Sequence, residues 1–503
     1  MQQSQPLLTE EDSQDVEGVE VHAGIDYDLW QKDMGTPLRS SRIHALQILA
    51  LQSYRTTRHY IQDNILTRRF LISILPQYLQ PGGLKAPPNL RSTAYLDALR
   101  GYAAWAVVNH HFYWENHYLK LPFIDVIHSG RAMVDIFFVI SGFVLSHNLL
   151  QKIRNKKEQQ LLRSLASSTF RRYVRLYFSA GFAALVSMLL IRMNAMRHPI
   201  VPRKGSFCAQ LGDFLRDMLR FSNPFAEVRG YFGKPSTPNS KYHTYLWTIP
   251  AEFRGSMVVF FFCLACCKMS TTHRTIACWL LILLCYAWDA TYVALFMFGV
   301  FLAERSLSRP APDADLPAPE IQQLQLEVGE HARRQRWRRD SFMSTGQYLV
   351  ASIALIVGIF LCSQPHNLGR EGPWPWPYLS QVVPSWWRGE EAGREHFWLS
   401  IAAGLIVYAL ETCPPLQRPF NWGVSQYIGK LSFGIYVMHL LVARVFWDVP
   451  LHDLRIWLGG GQKAYCVAYV IFMFLVFWAA DYFIRVDRHI IAFGRWLEKK
   501  TFI

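Results

Sequence analysis

Long runs of apolar residues, separated by charged segments, recur from about residue 95 to about residue 485. Most runs have the length of roughly 17–25 residues with which an α-helix crosses a lipid bilayer. The pattern predicts spans near residues 96–114, 134–150, 172–191, 245–266, 275–289, 291–304, 346–363, 396–412, 427–447 and 464–485. The fifth and sixth are short and close together, so one broken helix and a tight hairpin both remain open. The predicted fold class is all-α: a polytopic integral membrane protein with about ten transmembrane helices.

The segments outside these runs predict how the chain is organised. Residues 1–40 are polar and acidic, which is typical of a disordered cytosolic N-terminus. Residues 41–90 mix apolar and basic residues at helical spacing, which predicts amphipathic helices on the membrane surface. The predicted transmembrane domain therefore covers residues 91–490, with a cytosolic loop at 305–343 inside it and a cytosolic tail at 491–503.

Composition supports the membrane class. Hydrophobic residues make up 51% of the chain and charged residues only 18%, whereas soluble domains average about 25% charged residues. The net charge of +15 does not indicate a nucleic-acid partner, because the basic residues lie between apolar runs and form no basic face with interleaved aromatic residues.

Basic residues also predict the topology. The clusters at 151–175, at 305–343 and at the C-terminus all lie on the cytosolic side if both termini are cytosolic, although the basic loop 192–243 opposes this arrangement. The plasma membrane and the endoplasmic reticulum or Golgi remain open as locations.

The first predicted span carries ionisable residues, which are costly in a bilayer and usually mark function. Arg100 and His111 are eleven residues apart, about three helical turns, so they lie on nearly one face and roughly 16 Å apart. His110 points about a quarter-turn away. Arg100 could bind an anionic donor, and His111 could accept a proton from a hydroxyl group. A histidine that is merely satisfied by a neighbouring helix is the alternative.

Further charged residues open the third and fourth spans. Arg171 and Arg175 lie one turn apart on one helix face, with Arg172 beside them. Ordinary anchoring at the cytosolic surface and a pocket for the phosphates of coenzyme A both remain open. Glu252 begins an apolar run and needs a partner. It could orient His111 as the acid of a triad does, or it could pair with an arginine for structure.

Five segments together resemble the membrane acyltransferase family 3, whose members O-acylate sugars and other hydroxylated substrates. The Arg-x10-His signature of that family falls on Arg100 and His111. The amphipathic N-terminal extension resembles fungal and other eukaryotic members. The matching segments are YLDALRGYAAWAVVNHH (95–111), VDIFFVISGFVLS (134–146), FRRYVRLY (170–177), LWTIPAEF (246–253) and LSFGIYVMHL (431–440).

The resemblance implies that His111 is essential for acyl transfer and that Arg100 assists the donor. Ala98 and Thr248 stand where the family usually has glycine and serine; both changes are small and keep the ionisable groups. For Ser141, which precedes a glycine in the second span, helix packing is the favoured interpretation. The candidate catalytic residues are His111, Glu252 and His110, the candidate acyl-CoA-binding residues are Arg100, Arg171, Arg172 and Arg175, and the supporting residues are Asp97, Asp135, Ser141, Trp247, Tyr436 and His439.

The sequence therefore predicts an integral-membrane O-acyltransferase that moves an acyl group, with acetyl as one candidate, from acyl-CoA to a hydroxyl of a carbohydrate, lipid or secondary metabolite. Acyl-CoA is expected as co-substrate, with no tightly bound cofactor, no metal and the lipid bilayer as surroundings. The first alternative is a multi-pass transporter whose buried charges line a permeation path, although no matching broken helices in two halves are visible. The second is a family member that acts as a receptor or scaffold.

Overall fold

A computed structural model describes residues 75–85, 90–112, 123–199, 201–226, 239–309, 345–365, 374–387 and 391–502. Within these ranges every regular element is helical, which confirms the predicted all-α class for this part of the chain. All elements below belong to the unit Pro76–Ile503. The predictions for residues 1–40, and most of those for 41–90 and 305–343, lie outside the described residues.

The helices are, in chain order, α1 (Ala94–His111), α2 (Gly130–Arg154), α3 (Glu158–Tyr173), α4 (Ser179–Arg192), α5 (Phe207–Phe221), α6 (Thr248–Ala265), α7 (Thr271–Ala287), α8 (Thr291–Leu307), α9 (Thr345–Cys362), α10 (Trp376–Val382), α11 (Glu391–Thr412), α12 (Pro414–Gln417), α13 (Gly423–Val442), α14 (Pro450–Trp457) and α15 (Gln462–Thr501). Short 3₁₀ segments lie at Gln77–Leu79, Asp125–His128, Ser385–Trp387 and Arg418–Asn421, and π-helical turns at Val174–Phe178 and Ala443–Trp447.

Each predicted span coincides with a helix, but two of these helices are longer than predicted. A π-turn joins α3 to α4, so one helical segment runs from Glu158 to Arg192. Helix α15 continues through Thr501, so most of the predicted tail 491–503 is helical. The fifth and sixth predicted spans are α7 and α8, which form a hairpin tied by an ion pair between Arg274 Nε and Glu304 Oε2 at 2.8 Å.

Length and apolar composition qualify five segments of the described chain as membrane spans, and six if α11 and the bent segment Pro414–Asn421 form one. These segments make the protein an integral membrane protein. The predicted count of about ten includes helices that do not pass this test. Helices α7 and α9 are apolar but short, whereas α1 and α8 have most of their residues buried inside the protein. A helix that is shielded from lipid by its neighbours needs no apolar outer surface.

Helices α1 and α13 pack at very short distance through glycine. In α1 and α13, a β-carbon on Gly101 would lie 2.5 Å from the backbone of Ile428 and Gly429, and one on Gly429 would lie 2.5 Å from the carbonyl oxygen of Asp97. Small residues at such contacts allow helix backbones to approach closely. The contact fixes how α1 and α13 are aligned, and both helices carry residues of the candidate site.

Candidate active site

A cavity of about 580 Å³ lies between α1, α2, the α3–α4 segment, α6, α13 and α15. Its walls are apolar around Phe137, Phe138 and Phe433 and charged elsewhere. Because basic residues outnumber acidic ones, the cavity suits an anionic ligand. Among the residues that the structure describes, the charged lining consists of Lys85, Arg100, Arg172, Arg175, Lys430 and Arg488 against Asp97, Glu252 and Asp487.

Glu252 forms an ion pair with Arg172 inside this cavity. Arg172 Nε also donates to Ser256 Oγ at 2.9 Å, one helical turn beyond Glu252 on α6. Within the described residues the Glu252 carboxylate has no contact with His111, so of its two possible roles the structure shows the pairing with an arginine. Both side chains are only 11% and 16% exposed, and the pair holds the guanidinium against the cavity wall.

Arg100 reaches into the same cavity from α1. Its guanidinium lies 3.8 Å from the Asp97 carboxylate and donates to Ser141 Oγ at 3.3 Å. Ser141 was expected to serve helix packing, but its hydroxyl also contacts this arginine and lines the cavity. The sequence motif of α1 and the middle of α2 therefore contribute to one polar wall.

The three arginines of the α3–α4 segment do not act together. Arg172 and Arg175 line the cavity, whereas Arg171 Nε lies 3.0 Å from Glu498 Oε2 on α15. Arg171 is therefore engaged by α15 and is absent from the cavity lining, whereas Arg175 is part of it. A carboxylate on the helical extension of α15 engages Arg171, and the chain between Arg172 and Arg175 enters a π-turn at Val174.

Asp487 is the residue that the sequence did not single out. It lies in the cavity on α15, is only 7% exposed and accepts a hydrogen bond from Ser179 Oγ at 2.5 Å. Arg175 lines the same cavity. No family motif covers this position, because α15 comes after the last of the five matching segments. The one hint in the sequence was an acidic residue directly after a long apolar run. Lys430 and Arg488 were missed as well.

A second group of residues lies beyond the cavity, and we call it the histidine end: His111, His439 and Tyr245. The imidazole rings of His111 and His439 are stacked, with centroids 5.4 Å apart and planes inclined by 22°. The ring of Tyr245 meets His111 edge-on at 4.5 Å. His439 is completely buried.

The tautomer of His439 follows from its contacts. Its Nδ1 lies 3.1 Å from the carbonyl oxygen of Ile435, which can only accept a hydrogen bond, so Nδ1 carries the hydrogen. The other nitrogen, Nε2, is therefore a hydrogen-bond acceptor, and it has no partner among the described residues. A buried acceptor without a partner is costly in an apolar environment and is uncommon outside functional sites.

The alignment of α1 with α13 explains why the two histidines meet. His111 follows Gly101 by ten residues, and His439 follows Gly429 by ten residues. Since each residue of an α-helix rises 1.5 Å, both histidines lie about 15 Å beyond the glycine contact. Parallel helices that touch at the glycines thus bring the histidines to the same level.

Tyr436 connects the cavity to the histidine end. Its ring lines the cavity and lies 6.3 Å from that of His439. Its hydroxyl is 2.7 Å from Thr248 Oγ1 and donates to the carbonyl oxygen of Tyr245 at 2.8 Å. These contacts join α13 to the start of α6 between the two regions.

The segment 239–247 positions Tyr245 and Thr248. Its Ser240 hydroxyl donates to Asp217 Oδ2 at 2.7 Å, and its Tyr242 hydroxyl donates to Asp213 Oδ2 at 2.7 Å. Hydrogen bonds from Lys241 and Tyr242 hold the pKa of Asp213 below its ordinary value. His243 Nε2 lies 2.8 Å from the carbonyl oxygen of Val437. The segment is therefore attached to both α5 and α13.

Three predicted residues lie elsewhere. His110 Nδ1 is 2.9 Å from the carbonyl oxygen of His128, and a β-carbon on Gly130 would lie 2.6 Å from His110. Asp135 is completely buried, with its carboxylate 3.5 Å from His396 Nδ1. Trp247 precedes α6 and packs against the apolar core. None of the three lines the cavity as the structure describes it.

Comparisons with known proteins identify one matching domain. The acyltransferase domain of the acyltransferase-3 family matches residues 93–310, which include Arg100, His111, Arg172 and Glu252. No solved structure matches the chain.

Curated relatives are fungal acyltransferases. The O-acetyltransferase PaAT-1 of Phomopsis amygdali is 29% identical over 70% of this chain and 72% of its own length. Acyltransferase R4 of a Phoma species is 23% identical over 77% and 92%, and acyltransferase clz18 of Cochliobolus lunatus is 22% identical over 65% and 70%. The matched domain, the membrane helices and the ordered motifs of α1, α2, α6 and α13 make residues 93–310 similar to the acyltransferase-3 family, which supports a membrane enzyme that transfers acyl groups.

Proposed function

We propose that the protein is an O-acyltransferase that moves an acyl group from acyl-CoA to a hydroxyl group of a carbohydrate, lipid or secondary-metabolite acceptor. The observation that carries this proposal is the proximity of two features. A cavity with excess positive charge is lined by Tyr436, and the ring of Tyr436 lies 6.3 Å from that of His439, which is stacked on His111. Acetyl is the favoured acyl group, because one relative is named an O-acetyltransferase.

The charges of the cavity fit the donor. Coenzyme A carries phosphate groups at one end and the reactive thioester at the other. Guanidinium groups such as those of Arg100, Arg172 and Arg175 bind phosphate oxygens in a bidentate manner. With the phosphates in the charged part, the pantetheine arm extends along Phe137 and Tyr436, and the thioester reaches His111.

The chemistry requires one base and no redox step. A ring nitrogen of His111 accepts the proton of the acceptor hydroxyl while the hydroxyl oxygen attacks the thioester carbonyl carbon. The carbon–sulfur bond breaks, and the CoA thiolate takes the proton back from His111. His439 holds the ring of His111 in place by stacking, and its Nδ1–H bond to Ile435 keeps its own orientation fixed.

The remaining features of the proposal concern the membrane. The chain crosses the bilayer about ten times, with both termini in the cytosol and the charged part of the cavity open to cytosolic acyl-CoA. The compartment is the plasma membrane or the endoplasmic reticulum and Golgi. The basic clusters at 151–175 and at the C-terminus support this topology, because positive residues accumulate in cytosolic segments.

Release of the CoA thiol tests the proposal. Purified full-length protein in nanodiscs is given acetyl-CoA together with a lipid and carbohydrate extract of the source organism, and His111→Ala is measured beside it. We expect thiol release that requires the extract and disappears in the variant. Transport alone frees no thiol, so release that is absent with every acyl chain length tried would contradict the proposal.

A further inference from the structure

The nitrogen Nε2 of His439 is a buried acceptor without a donor. Because Nδ1 of the same ring donates to the carbonyl oxygen of Ile435, Nε2 carries no hydrogen. It has no partner among the described residues, and His439 is 0% exposed, so solvent does not touch this atom in the observed arrangement. A donor for Nε2 must therefore come from a neighbouring side chain that turns toward it.

His111 is the neighbour whose ring nitrogens are unused. Its imidazole meets His110 and Tyr245 edge-on and is stacked on His439, and in the part of the chain that the structure describes its ring makes no hydrogen bond. The other ring beside His439 is that of Tyr436, whose hydroxyl already donates to the carbonyl oxygen of Tyr245. Of these two neighbours, His111 is the one that can supply an N–H group.

We propose that Nε2 of His439 accepts a hydrogen bond from His111 while His111 holds the proton of the acceptor hydroxyl; this inference rests on the proposed function. An imidazolium donates through both of its nitrogens. One N–H faces the oxygen from which the proton came, and the other needs an acceptor, which is a carboxylate in the Ser-His-Asp triad. Here Glu252 is paired with Arg172, and a neutral histidine nitrogen takes that position.

The distance between the two rings fits this bond. An N–H···N bond of about 3 Å between two imidazoles places their centroids roughly 5 Å apart, and the observed separation is 5.4 Å. The planes are inclined by only 22°, so the ring of His111 must turn until an N–H points at Nε2, while α1 and α13 stay in place. Catalytic hydrogen bonds are often poorly aligned in a protein without substrate and tighten in the complex. His439 is thus a positioning residue that acts through His111.

The test uses two substitutions that each keep one half of the histidine. His439→Gln places an amide oxygen near the position of Nε2 and loses the bond to Ile435, whereas His439→Asn places an amide N–H near the position of Nδ1 and loses the acceptor. His439→Phe keeps a flat ring and loses both nitrogens. Thiol release from acetyl-CoA with the extract, CoA binding and the temperature of unfolding are measured for wild type and the three variants, as full-length proteins in nanodiscs.

We expect kcat of His439→Gln to stay within about fivefold of wild type, and kcat of His439→Asn and His439→Phe to fall about 10- to 100-fold, because a hydrogen bond to a charged group is lost. The KM for acetyl-CoA and the affinity for CoA should be unchanged in all three, since the charged cavity is untouched. A purely structural role, exerted through the bond to Ile435, predicts the reverse order, with His439→Asn more active than His439→Gln.

That reverse order would overturn the inference, and so would wild-type kcat in His439→Phe, which decides the matter if an amide variant does not fold. In both cases wild type still releases thiol, so the proposed function stands. If wild type releases no thiol, the proposed function fails and the inference fails with it.

Discussion

The charged cavity and the histidine end differ in how their polar groups are satisfied. In the cavity, charges of opposite sign lie beside each other, as in the pair between Arg172 and Glu252. At the histidine end the groups are uncharged rings in stacked or edge-on contact, and His439 Nε2 lacks a partner. Under the proposed function, binding of the charged donor and proton transfer from the acceptor hydroxyl belong to these two different regions.

The largest effect is expected at His111. His111→Ala should lower kcat for thiol release by about 100- to 10,000-fold, because the proton of the acceptor hydroxyl loses its base. Affinity for CoA should be retained, since the charged cavity is untouched. Steady-state thiol release and CoA titration measure the two quantities. The control is His452→Ala, at an exposed position of α14. Undiminished activity of His111→Ala would show that the histidine end does not supply the catalytic base.

His439→Ala tests whether the stacked partner acts through His111. We expect kcat to fall about 100-fold, the cost typical of a misplaced reacting group, with the KM for acyl-CoA unchanged. His439→Phe preserves a flat ring but removes the acceptor Nε2. If the phenylalanine variant is as active as wild type, stacking alone matters; if it is as impaired as the alanine variant, Nε2 is required.

A double-mutant cycle of Arg172→Gln and Glu252→Gln separates donor binding from catalysis. Arg172→Gln should raise the KM for acyl-CoA about tenfold, because a charge-assisted contact to phosphate is lost. Glu252→Gln should change KM rather than the pH profile of kcat, since its partner is the arginine. The effects should be non-additive, as for residues in direct contact. A pH profile that shifts in Glu252→Gln would instead connect Glu252 with His111.

The smallest effect is expected at Tyr436, whose contacts join α13 to the start of α6. Tyr436→Phe removes the hydroxyl that contacts Thr248 and Tyr245, and a hydrogen bond of this kind contributes about 1 kcal/mol to stability. We expect a lower temperature of unfolding in detergent and a few-fold lower kcat. Thr248→Ala should have a similar effect, since it removes one of the same contacts. A gain of activity in either variant would show that the contact between Tyr436 and Thr248 obstructs the acyl chain.

The sequence predicted the helices better than the pairings between them. Apolar runs of suitable length located α1, α2, α6, α13 and α15, because a bilayer imposes a strong local constraint on each segment. The partner of Glu252 depended on how α3 and α6 pack, and two interpretations were equally consistent with the residues. Contacts between distant segments have no local pattern.

The same reason explains the residues that sequence reasoning misplaced or missed. Arg171 was grouped with its neighbours because the helix was expected to face one pocket, but α15 extends far enough for Glu498 to engage it. Asp487 belongs to the cavity through that same helix. The separation of Arg100 and His111 could be predicted because both lie on one helix, where residue spacing fixes the distance along the axis.

The contact of Gly101 with Gly429 has a mechanical consequence. Because neither helix has a side chain there, α1 and α13 cannot slide past each other without a collision of their backbones. Lys430 is adjacent to this contact, and His439 lies on the same rigid helix nine residues further on. The close contact therefore keeps Lys430 and His439 at fixed levels relative to α1.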